Sequence, residues 1–320
     1  MKNGIAVAGS ILVDNLNEIS AYPKAGELTK IKSVQTAVGG CVPNVSADLK
    51  RICPDITVKA VGKVGKDDNG KFVKDFLSNN GVDVTNILDC NDKTSFTEVM
   101  SVSGGQRTFF TYQGANSTFG FNDVDLDKLD VKMLHLGYFL LLDTIDDGDG
   151  LKILKSAKEK GVITSIDLVS ENSNRYSLVI PCLKYVDNLI INEVEAGAIV
   201  GVDPIENNLI IIAKKLKELG VINRVIIHTP SVSVCVSNEG EIKCPSYDLP
   251  SNFIVGTTGA GDAFCAGALI GIYKNKSDKE ILEFASSTAV LALTKADAVS
   301  GLKTEEEIIK YCKGLNRKCL

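Results

Sequence analysis

Short β-branched runs alternate with amphipathic segments along most of this chain, and that rhythm constrains its fold more than any other feature. GIAVAGSI leads to VPNVSADLKRI, then ITVKAVGKVG to NGKFVKDFLSNNG. MLHLGYF, LKILKSAKEKG, VITSIDL, NLIINEVEAGAIVG, NNLIIIAKKLKELG and RVIIHT continue the alternation. Strand–helix repetition of this kind predicts an α/β class protein, a doubly wound, mostly parallel sheet with helices on both faces. The 320 residues and 44% apolar content are enough for one large core.

Two stretches break the rhythm, NLNEISAYPKAGELTKIKSVQTA (15–37) and KTSFTEVMSVSGGQRTFFTYQ (93–113). Both read as extended segments with no following helix, the second as a hairpin turning at SGGQ. They are expected to form a small β lid over the mouth of a site rather than edge strands of the main sheet. The main domain then comprises 1–14, 38–92 and 114–320. The exposed apolar side chains of the hairpin, Phe96, Met100, Phe109, Phe110 and Tyr112, predict a covering surface, with a homodimer through the lid as the expected arrangement.

Charge and cysteine usage exclude several functions. A net charge of -5 without a basic stripe argues against nucleic acid as a partner, and LGYFLLLDTI is broken by Asp143, so no membrane span is expected. The nine cysteines are scattered with no C-x-x-C pair, which suits reduced thiols in the cytoplasm. Only His135 and His228 could join them, so no structural zinc site is expected. Each histidine lies beside an apolar run that reads as a strand, and any general base is therefore expected to be a carboxylate.

Glycine-rich stretches locate the chemistry. GKDDNGK (65–71) resembles the start of a Walker loop, but Phe72 stands where magnesium needs Ser or Thr, so it reads as a turn before a helix. GAGDAF lacks the third glycine of a dinucleotide fingerprint. GTTGAGDAF (256–264) instead places the backbone N–H groups of Gly259, Ala260 and Gly261 at the head of the helix FCAGALIGIY. This is an anion cradle, and the adjacent Asp262 has a task there if it accepts a proton from a hydroxyl nucleophile. The plainer reading, a tight turn with an acid complementing the helix dipole, would suffice for an isolated motif.

The motif is not isolated. TTGAGDAF resembles the C-terminal signature of the PfkB-type, ribokinase-like carbohydrate kinases, and AVGGCVPNVSADLKRI resembles their N-terminal signature. GSILVDNL, VGKVGKDDNGKF, INEVEA and TKADAVSG fall in family order, so the resemblance spans nearly the whole chain. It implies an ATP-dependent kinase acting on a hydroxyl of a small sugar or sugar derivative, with magnesium. A nucleoside kinase of the same family and a non-catalytic sugar-binding regulator are the alternatives. Asp262 would be the base, and Gly259, Ala260 and Gly261 the anion hole. Asp14, at the end of the first strand, would bind sugar hydroxyls with Gly40 and Asn44, while Arg107 on the lid would reach a polar or anionic end. Asn192 and Glu195 would hold magnesium through water, with Thr229 and Ser286 at the nucleotide. Three departures qualify the match. TPSVSV puts Ser231 and Val234 where glycines are usual, Cys41-Val42-Pro43 does not match the ribokinase lysine loop, and Gly256 replaces an aspartate that bears on monovalent-cation binding, which predicts little activation by potassium.

Overall fold

The structure, a computed structural model, describes residues 2–102, 107–171, 173–250 and 252–319; the expected SGGQ turn lies outside them. Strands β1 (Ile5–Gly9), β2 (Leu12–Ile19) and β3 (Ile31–Gly39) precede helix α1 (Cys41–Ile52). Then come β4 (Val58–Gly65), α2 (Asp68–Asn79), β5 (Asp83–Cys90), β6 (Phe96–Val102), β7 (Arg107–Tyr112) and a single turn, α3 (Leu126–Leu129). The second half runs β8 (Met133–Phe139), α4 (Gly150–Glu159), β9 (Ile163–Leu168), α5 (Ile180–Leu183), β10 (Asn188–Asn192), α6 (Glu193–Val200), α7 (Leu209–Glu218) and β11 (Arg224–His228). It closes with β12 (Val232–Ser237), β13 (Gly240–Pro245), α8 (Ala260–Tyr273), α9 (Asp278–Ala292) and α10 (Glu305–Cys312).

Among the described residues these strands make two sheets. The larger has the order β13-β12-β11-β10-β9-β8-β1-β4-β5, parallel except where β12 pairs antiparallel with β11 and β13. Alternation along β1 shows why both faces are covered. Ile5 and Val7 join a core with α1, α8 and α9, whereas Ala6 and Ala8 join one with α4 and α7. Among the described residues, no helix is long and apolar enough to cross a membrane.

The smaller sheet has the order β3-β2-β6-β7. Asp14, Thr97 and Thr111 lie opposite one another on one face, and Asn15, Glu98 and Phe110 on the other. Asp14 is therefore the third residue of β2 and not the end of the first strand, a correction to the sequence reading. The chain leaves the large sheet after Gly9 and enters the small one at Leu12. The GKDDNGK block is structural: Asp67 caps α2 by accepting the Gly70 N–H at 2.9 Å and also takes the Thr94 N–H at 2.8 Å.

Candidate active site

Strand order reverses around β1, flanked by β4 and β8, and crevices at such switch points lie outside the C-terminal strand ends. Tyr138 and Asp167 near the ends of β8 and β9, Asn192 ending β10 and His228 ending β11 all reach this edge. The N-terminus of α8 points into it. Gly259 caps that helix at φ 77°, and a Cβ there would fall 2.4 Å from the Ala298 Cα, so only glycine permits this approach. Gly259, Gly261 and Asp262 border a cavity of about 220 Å³ shared with Asp167, Asn192 and Glu195. The Ala260 N–H makes a long bond of 3.3 Å to the Thr257 carbonyl, which an incoming anion has to share or replace.

Asp262 is only 7% exposed. Asn44 Nδ2 donates to its Oδ2 at 2.9 Å, and the Tyr138 hydroxyl donates to both carboxylate oxygens at 3.1 and 3.2 Å. Burial, helped by the negative charge of Asp167, pushes the carboxyl up to about 7, with the Asn44 and Tyr138 hydrogen bonds pulling the other way. A carboxylate in this state changes protonation near neutral pH, which suits a general base.

Asp14, Asn44 and Arg107 meet at a second cavity, of about 340 Å³, whose wall includes Val99, Ser101 and Thr258. Burial pushes the Asp14 carboxyl up to about 6. The Asn44 Oδ1 is buried without a hydrogen-bond partner among the described residues, leaving an acceptor for an incoming hydroxyl. Arg107 Nη1 donates to Thr258 Oγ1 at 2.7 Å, tying β7 to the loop before α8. Gly40 is the N-cap residue of α1 and is not among the residues lining this cavity.

On the opposite side of α8 lies a cavity of about 510 Å³ with largely apolar walls, including Tyr247, Leu249, Phe264 and Val290. Thr229 and Ser286 both border it. The Ser286 hydroxyl bonds back to the Leu282 carbonyl at 2.8 Å, so the residue offers shape more than a free donor. Thr229 explains how TPSVSV dispenses with glycine: its Oγ1 accepts the N–H groups of Ser231 at 3.0 Å and Val232 at 2.9 Å, closing the turn, and Val234 lies within β12.

Asn192 and Glu195 form a reciprocal capping box at the start of α6, with Glu195 Oε1 also accepting from the Ser170 hydroxyl at 2.8 Å. Burial pushes Glu195 up to about 7. Tyr138, Asp167, Ser170 and His228 are the site residues that sequence reasoning missed. The acid closing the run VITSID was a usable signal for Asp167. Tyr138 had none, since it reaches Asp262 only through a backbone φ of 60°.

The profile of the pfkB family carbohydrate kinases matches residues 2–305. The chain belongs to that family. It is a carbohydrate kinase, a phosphotransferase acting on a sugar hydroxyl. Among curated pfkB relatives, a ribokinase of Arabidopsis thaliana is 28% identical over 97% of this chain and 81% of its own. A fructokinase-1 of Oryza sativa subsp. japonica is 24% identical over 94% and 95%. The solved structure of Arabidopsis thaliana ribokinase complexed with ribose and ATP superposes with a TM-score of 0.83 at 25% identity, covering 98% of this chain and 99% of that one.

Proposed function

We propose that this kinase transfers the γ-phosphoryl group of ATP to a hydroxyl of a small sugar, with Asp262 as the base. The observation that carries the reading is the placement of Asp262 at the head of α8, where it is hydrogen-bonded to Asn44 on the wall of the cavity that Asp14 also lines, while its neighbour Gly261 lines the cavity of about 510 Å³, large enough for a nucleotide. The ribose- and ATP-bound relative supports both assignments.

The acceptor lies in the Asp14 and Asn44 cavity, with Arg107 at its polar or anionic end. Its hydroxyl takes the place of the Tyr138 phenol on Asp262. Asp262 accepts the proton as the acceptor oxygen forms its bond to the γ-phosphorus, and the bond from that phosphorus to the β-bridging oxygen breaks, releasing ADP. The N–H groups of Gly259, Ala260 and Gly261 hold the charge on the transferring oxygens. Magnesium fits the hard oxygen donors of Asn192 and Glu195, and because their internal hydrogen bonds already engage them, it fits through water. When bound, it offsets charge on the ATP phosphates.

The protein is further read as a cytoplasmic homodimer. Its unpaired cysteines suit a reducing compartment. The outer face of the small sheet exposes Val34, Phe110 and Tyr112 around Glu98, whose carboxylate accepts from Asn15 and Asn17. A coupled ADP-release screen over sugars, sugar acids and nucleosides tests the function. A sugar or sugar acid is expected to give the highest kcat/KM, and Asp14→Ala to raise its KM far more than that of ATP. Turnover confined to nucleosides would refute the reading.

A further inference from the structure

Cys41, His135, Asp167 and Cys265 are far apart in sequence but converge behind Asp262. Cys41 opens α1, His135 is in the middle of β8, Asp167 is near the end of β9, and Cys265 is on α8 three residues after Asp262. One ligand atom from each of Cys41, His135 and Asp167 lies within 4.8 Å of the other two, and all three residues are buried. His135 Nε2 is 3.4 Å from Asp167 Oδ2 and 3.6 Å from Cys265 Sγ. We propose that these residues form a binding site for a thiophilic divalent ion of the zinc class, separate from the magnesium position at Asn192 and Glu195.

Bonds of about 2.0–2.3 Å in a tetrahedral zinc site put neighbouring ligand atoms about 3.3–3.8 Å apart. The two separations from His135 fall in that range, and Cys41 lies within 4.8 Å of His135 and Asp167, so an ion would draw the ligands together by side-chain movement. Supporting contacts orient the ligands. His135 Nδ1 engages the Ser165 hydroxyl at 3.2 Å, which leaves Nε2 toward the centre. The Tyr138 N–H donates to Asp167 Oδ1 at 2.6 Å, which leaves Oδ2 facing His135. Gly137 makes the space: a Cβ there would lie 2.0 Å from Cys41 Sγ and 2.9 Å from Asp167 Oδ1. Asp167 and Cys265 border the 220 Å³ transfer cavity, which gives an ion a route inward.

Donor chemistry separates this site from the magnesium position. Thiolate and imidazole select zinc-class ions, whereas Asn192 and Glu195 offer only oxygen. A histidine–aspartate–serine hydrogen-bond chain would account for His135, Asp167 and Ser165, but it gives the two cysteines no role. An ion held here would join α1 to α8 across two strands of the sheet.

Cobalt(II) titration of the chelator-treated full-length protein tests the proposal. One equivalent is expected to produce a thiolate-to-cobalt charge-transfer band with the strong d–d absorption of a four-coordinate ion, and zinc should displace it. Cys41→Ala and Cys265→Ala, each checked for folding by circular dichroism, should weaken binding by at least about tenfold. Glu195→Gln should leave it unchanged. Absence of the charge-transfer band in the unsubstituted protein overturns the proposal without recourse to any variant. A band that survives both cysteine substitutions, or is lost in Glu195→Gln, overturns it equally.

Discussion

Asp262 changes protonation in the pH range where it has to work. Its carboxyl stands near 7 in the folded protein against an ordinary 3.8, so between those values the folded state holds a proton that the unfolded chain releases. Its contribution to stability is therefore full below about pH 4 and is lost as pH rises through 7. With Asp262 as the proposed base, catalysis runs the other way, since the base has to be ionised: kcat/KM should rise with pH through about 7 and level off above it. Asp262→Asn should reduce kcat by about 10² to 10⁴ and raise the Tm at pH 8 but not at pH 4. Pre-steady-state turnover and thermal melts at the two pH values check both halves. Asp262 was legible from sequence because cradle and acid are contiguous. Tyr138 and Asp167, which adjust a protonation that burial mainly sets, were not, because their approach depends on the register of β8 and β9 and on one residue of positive φ.

At the level of elements, the alternation of apolar runs revealed α1 and the parallel strands, and α8 showed as a continuous apolar run that is buried over most of its length. The placement of β2 was hidden: its pairing with β6 joins residues more than eighty positions apart, and nothing local in GSILVDNL marks where the chain changes sheets. Sequence spacing likewise does not show that the fold brings Cys41 and His135 beside Asp167. The loop ahead of α8 bears on potassium. A Cβ on Gly256 would lie 2.8 Å from the Lys295 carbonyl oxygen and 2.9 Å from the Ala296 Cα, so this backbone leaves no room for an aspartate side chain. The loop can offer a cation only carbonyl oxygens at this position, a weaker set for a hard ion. Turnover in potassium should match that in sodium at equal ionic strength; a several-fold rise specific to potassium would show that other ligands serve.

For the molecule as a whole, the small sheet's outer face exposes Val34, Phe110 and Tyr112 together. Light scattering at micromolar concentration should give a dimer, and Phe110→Glu should shift it to monomer. The small sheet also bears on a problem every kinase faces, which is that water is itself a hydroxyl nucleophile and is always present. With no sugar in place, both oxygens of Asp262 accept from the Tyr138 phenol, so a stray water finds the base already engaged. In the proposed function, a sugar gripped by Asp14 and Asn44 would bring several contacts to bear in displacing that phenol, which a lone water cannot. On that reading idle loss of ATP is held down, and Tyr138→Phe should release it: ATP hydrolysis without sugar should rise at pH 8 while the sugar-dependent rate changes less.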